Sequence, residues 1–166
     1  MTPSPDTRHQ TIVGALHLLV ASFLQRRGIG RIFLAPFDVV LSDLDVVEPD
    51  LVYVSAERAS IVTAKNVQGA PDLVIEVLSP STRRTDEVTK RKLYDRVGVR
   101  EYWIVDPELE TIKVHRRSDH GFTRAAELTR DGGDVLATPL LPGLLTRSRP
   151  SSRNVGPVSP RRAEMR

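Results

Sequence analysis

Residues 71–107 read PDLVIEVLSPSTRRTDEVTKRKLYDRVGVREYWIVDP, and this stretch decides the fold. Within it, Asp72 to Leu78 alternates between two faces. Leu73, Ile75 and Val77 line one, and Val74, Glu76 and Leu78 line the other. Apolar side chains on both faces predict a central strand covered from both sides. Asp86 to Val97 follows with helical spacing. Thr85 is placed to cap its start, Asp86 and Glu87 suit the positive end of its dipole, and Gly98 ends it. Glu101 to Val105 and Thr111 to Arg116 then read as two strands, with Asp106-Pro107-Glu108 as the turn between them.

Working outward, His9 to Arg27 carries Ile12, Val13, Leu16, Leu19, Val20, Phe23 and Leu24 at helical spacing, and Gly28 and Gly30 stop it. Two strand-like runs come next: Arg31 to Leu41, broken by Pro36, and Val46 to Val54. Ser42 to Asp45 suits a hairpin turn between them. Ser55 to Ala70 has no clear period. Phe122 to Leu128 reads as a further strand, and Pro139 to Leu145 closes the globular part. This order predicts an α/β or α+β domain with a mixed sheet. Residues 1–8 are expected to be a flexible lead-in, 9–145 the folded domain, and 146–166, rich in Arg, Ser and Pro, a disordered basic tail.

The chain has 166 residues, 40% hydrophobic and 27% charged, enough for one core. Net charge is +3, but the arginines after Leu145 supply it, so the body is near neutral. With no cysteine, disulfides and thiolate metal sites are excluded, and any metal must sit on oxygen or imidazole. Ile12 to Leu24 is too short to span a bilayer, which takes roughly 20 apolar residues. A buried helix in a cytoplasmic protein, away from membranes, is the expectation.

Three side chains stand out. Glu76 places a carboxylate on a strand covered on both faces, where a charge is costly unless paired; it is a working acid, a solvent-turned strand end, or an arginine's partner. Asp50 follows Pro49, which suggests an edge or bulge that re-aims a side chain; the plain alternative is a turn-forming Asp. Lys90 shares a helical stripe with Leu93, Tyr94 and Val97, so it either snorkels outward or meets an acid. Together, two strand carboxylates suit a hard divalent cation such as Mg²⁺ (or Mn²⁺), and a nearby lysine suits the charge growing on a phosphorane. His9 could approach the site, but a lone His near a helix start is expected to be exposed.

The run from Pro71 to Pro107, with His9-Gln10, APFDVVLS, VVEPDLVYVS, IEVLSPST, the KxxxYxxxGVxEYWIVDP pattern and LLPGL, resembles the Uma-type family, a domain family of unknown function classed with restriction endonucleases in the PD-(D/E)XK superfamily. The resemblance covers roughly residues 4 to 145. It implies a restriction-endonuclease-like mixed central sheet flanked by helices, and a Mg²⁺-dependent endonuclease acting on DNA. It places Asp50 and Glu76 as metal-binding acids. Leu78 stands where the superfamily's lysine usually does, and Lys90 takes that role from the next helix, with Lys92 as runner-up. Ser79, Pro80 and Ser81 match a signature expected to shape the turn; Tyr94, Gly98 and Trp103 are expected to be structural. Relatives usually carry a further upstream segment, so the domain is expected to be truncated at its N-terminus.

Two other functions stay open: a nuclease fold that binds nucleic acid without turnover, and a truncated remnant. Enzymes that cut both strands often act as dimers, so a homodimer is a further expectation. No Walker-type loop, helical HExxH or GxSxG elbow occurs in the sequence.

Overall fold

The computed structural model describes residues 6–144 and the backbone of residues 146–147. Helix α1 (Thr7–Arg27) opens on Asp6, whose carboxylate accepts the His9 N–H at 2.7 Å, and ends at Gly28 in a left-handed conformation (φ 67°). It begins two residues before His9 because the cap, and not the apolar repeat, sets the start.

Six strands form the main sheet in the order β1-β4-β6-β7-β8-β9. They are β1 (Gly30–Leu34), β4 (Leu51–Ser55), β6 (Leu73–Val77), β7 (Glu101–Asp106), β8 (Thr111–Ser118) and β9 (Gly121–Thr129). Only β6 and β7 pair in parallel; the other neighbours are antiparallel. A second sheet has the order β3-β2-β5, from β2 (Val39–Val40), β3 (Val46–Val47) and β5 (Val67–Gln68). The expected Ser42–Asp45 turn joins β2 to β3, with the Ser42 hydroxyl 2.9 Å from the Asp45 carboxylate. The two long strand-like runs each split, since one half serves the small sheet and the other the main one. The unpatterned stretch after Ser55 holds a 3₁₀ segment (Ala56–Ile61) and β5. A last pair, β10 (Val135–Leu136) with β11 (Thr146–Arg147), takes in the first two residues of the expected tail; the rest of that tail and residues 1–5 lie outside the described residues.

α1 covers one face of the main sheet. Val13, Val20, Phe23 and Leu24 pack there against Leu51, Tyr53, Leu73, Ile75, Val77 and Trp103. The opposite face carries Val74, Leu78, Tyr102 and Ile104 beneath Tyr94 of α2 (Arg91–Val97). The alternation read along Asp72 to Leu78 is the one observed, and all of β6 is buried. Each large apolar chain so buried contributes roughly 1.5–3 kcal/mol. No helix among the described residues is long and apolar enough to cross a membrane.

Candidate active site

The site lies at the C-terminal end of the parallel pair β6–β7, on the α2 face. Glu76 projects from β6 and is only 3% exposed. Asp50 sits just before β4. There the chain leaves β3 of the small sheet and enters the main one. The buried Pro49, without an N–H, marks this change of sheet, which takes the place of the expected bulge. The β4–β6 register pairs Leu51 with Ile75 and Val52 with Val74. Continued by one residue, it sets Asp50 opposite Glu76. Asp50 Oδ2 accepts the Val77 N–H at 2.8 Å and lies 3.2 Å from His9 Nε2.

Lys90 arrives from the β6–β7 crossover. Its helix opens with a reciprocal cap: Thr82 N–H donates to the Ser79 hydroxyl, and Ser79 N–H to that of Thr82. Thr85 therefore lies inside the helix and caps nothing. From Thr85 to Lys90 the turns widen to π-helical, a form that recurs at functional sites, before α2 proper begins. Lys90 Nζ donates to Glu76 Oε1 at 2.9 Å and stands 2.8 Å from Asp86 Oδ1. The Tyr94 hydroxyl donates to the same Glu76 oxygen at 3.0 Å, and that of Tyr102 to the Asp86 carbonyl at 3.1 Å. Lys92, the runner-up, is exposed. Leu78 is buried among Val74, Tyr94 and Tyr102, so no amine enters from its position.

Burial lifts the Glu76 carboxyl from 4.5 to about 7, against the opposing pull of Lys90; Asp86 and Asp50 push the same way as burial. For Lys90 burial favours the neutral amine, but Glu76 and Asp86 outweigh it and raise the group to about 12, so it stays charged. Tyr94 is pushed well above its usual value, by burial first and then Glu76, and remains a donor. Glu76 and Asp86 thus share one lysine, while Asp50 is held by His9 and the Val77 N–H.

Each of the two strand acids also keeps one oxygen free. Among the described residues, no hydrogen bond reaches Glu76 Oε2 or Asp50 Oδ1. No group of three or more His, Asp or Glu side chains is arranged to hold an ion there. The available donors are therefore two carboxylates. That matches Mg²⁺, which takes one or two carboxylates and keeps several waters.

Three participants fall outside the favoured sequence reading. His9, expected to be exposed, is buried against Asp50. The signal was present: Val13, Leu16 and Val20 lie four, seven and eleven residues further along the same stripe. Asp86, read as a first-turn acid serving the dipole, is buried and holds Lys90. Tyr94, read as structural, hydrogen-bonds Glu76; it lies four residues after Lys90, as Lys90 does after Asp86.

A family model described as "Putative restriction endonuclease" (Uma2) matches residues 1–149. A crystal structure of a "putative nuclease belonging to DUF820" from Anabaena variabilis superimposes with a TM-score of 0.72 at 20% identity, covering 88% of this chain and 80% of that one. That likeness extends to the fold. No curated protein matches the chain in sequence. The chain belongs to the Uma2 family.

Proposed function

We propose, with membership of the Uma2 family as the premise, that the chain is a metal-dependent endonuclease of the PD-(D/E)XK type that hydrolyses phosphodiester bonds in DNA. One observation carries this reading: Asp50 and Glu76 face each other across one ladder step, each with a free oxygen, and Lys90 stands 2.9 Å from Glu76. Asp50 and Glu76 would hold Mg²⁺ or Mn²⁺. When bound, the ion polarises the phosphodiester and makes water a better nucleophile.

The chain's own groups prepare that position. The Val77 N–H and His9 fix the Asp50 carboxylate. Lys90 and Tyr94 fix Glu76 through one oxygen, which leaves the other for the ion. Lys90, held by Asp86, keeps its charge beside the carboxylates and would face the negative charge that grows on the phosphoryl oxygens as water adds. Nicking of supercoiled plasmid is the test. Wild-type protein should nick with Mg²⁺ and not with EDTA, and Glu76→Ala, Asp50→Asn and Lys90→Met should each lose the activity while keeping their circular dichroism. Folded, Mg²⁺-loaded wild type that leaves plasmid intact sinks the reading.

A second reading, DNA binding without turnover, draws on one feature: Lys90 is clamped between two carboxylates, an arrangement that also suits a purely structural ion pair. It predicts salt-sensitive DNA binding that survives Glu76→Ala, with no cleavage by any variant.

A further inference from the structure

On the α2 face, beyond the helix from the candidate site, lies a pocket of about 500 Å³. Arg91, Lys113, His115, Phe122 and Arg124 line it, with Glu87 as its acid. Lys113 donates to Glu87 at 2.7 Å, and Arg124 to Glu127, outside the pocket, at 2.9 Å. The Arg91 guanidinium contacts only a carbonyl, that of Glu87, among the described residues, and so has no acid of its own. His115 is buried at the pocket floor, and neither ring nitrogen has a hydrogen-bond partner among the described residues. Its ring stacks with Tyr102, and Phe122 stands beside it. Burial, then Arg91, Arg124 and Lys113, hold His115 down at about 4, so it is neutral at pH 7 and offers one ring N–H without adding charge.

The pocket is in register with the catalytic candidates. Glu76 pairs with Ile104, and Ile104 with Lys113, so Lys113 lies two strands from Glu76 in one row across the sheet. At about 4.8 Å per strand the two are roughly 10 Å apart. The helix between them touches both: Lys90 reaches Glu76, and Glu87 reaches Lys113. DNA carries one phosphate per strand for about every 3.4 Å of helix axis, so a separation of this size spans at most roughly three nucleotides.

We propose that the pocket is a second phosphate subsite, where Arg91, Arg124 and Lys113 take a backbone phosphate of the DNA whose reacting phosphodiester lies at Asp50 and Glu76, with His115 donating a neutral hydrogen bond. The identity of the ligand rests on the nuclease reading above; the charge and shape of the pocket do not. Binding is measured by fluorescence anisotropy of the full chain without metal, using a labelled 16-base-pair duplex across a KCl series. Arg91→Gln/Arg124→Gln should weaken binding about tenfold and reduce the slope of log K against log salt by roughly 0.9, the value of one lost phosphate contact. Arg91→Lys/Arg124→Lys should retain the slope. The single variant Arg124→Gln, on a side chain 55% exposed, is the one least able to disturb the fold and should show part of the loss.

Unchanged affinity and slope in the folded Gln variants overturn the subsite. If wild type nicks plasmid all the same, the nuclease reading stands without it. If wild type never nicks while the Gln variants lose affinity, the subsite stands and the nuclease reading fails. Titration of inorganic phosphate by calorimetry separates the remaining source: phosphate binding abolished in the double Gln variant with duplex affinity untouched shows a site for free anions, and overturns the assignment to DNA.

Discussion

β6 and β7 bury carboxylates at both ends, and those around Glu76 are treated in the opposite way from the rest, including Asp106 at the end of β7, which Arg83 and two backbone N–H groups hold. At the N-terminal end Asp72 receives the Ser55 N–H at 2.8 Å and two guanidiniums, Arg58 and Arg100, each at 3.3 Å. Glu101 beside it accepts from the Trp103 indole, Arg116 and Thr138. Both acids are fully buried and saturated. Around Glu76, at the C-terminal end, Glu76 and Asp86 share one lysine, Asp50 has His9 and the Val77 N–H, and one oxygen each of Glu76 and Asp50 has no donor among the described residues. Burial alone does not mark a working acid. A deficit of partners does, because an under-compensated carboxylate holds binding capacity for a cation.

The largest expected effect separates the ends by activity. Glu76→Gln should reduce Mg²⁺-dependent cleavage about 10³-fold, near 4 kcal/mol in the barrier, while leaving the metal-free melting temperature at pH 8 equal to or above wild type. A clear drop in melting temperature would show that this end, too, is structural. Next, Glu101→Ala should cost about 3 kcal/mol in urea unfolding, the low end for breaking a buried pair because Arg116 remains partly exposed. Specific activity per folded molecule should not change.

The third test is pH. Glu76 has its folded value raised to about 7 against an ordinary 4.5. The carboxyl therefore favours the folded state fully below pH 4.5, and that stability is lost as pH rises to about 7. The loss is about 3 kcal/mol by linkage. Urea midpoints of wild type should fall across that window, and those of Glu76→Gln should lack the step. Mg²⁺ at 100 times its dissociation constant should restore roughly 2.7 kcal/mol above pH 7; no Mg²⁺ stabilisation at any pH would remove the cation from the picture. The smallest effect belongs to Lys92→Ala. Its side chain is exposed, so stability should move by less than about 0.5 kcal/mol and cleavage not at all. Lys90→Met, two residues away, should lose activity.

Much of this was legible in the sequence where one pattern had one physical reading. The double-sided run of β6 announced a covered strand, and the stripe through Lys90 announced an amine facing inward. The sequence did not show where long strand-like runs divide. Val46 to Val54 is uniform in character, and only the second sheet explains its break at Pro49. Asp86 was hidden because a first-turn acid has a sufficient local reason to be there. His9 was hidden because a polar residue near a helix end is usually solvated, although its spacing to Val13 and Val20 told otherwise.

Because β6 and β7 run parallel, the chain must leave the sheet and return between them, and Lys90 rides on that excursion, 14 residues from its partner Glu76. The constellation is thus absent from any state in which the excursion has not yet come down onto the sheet. On the nuclease reading, competence waits for that docking, so the order of residues along the polymer acts as a safety catch that needs no inhibitor.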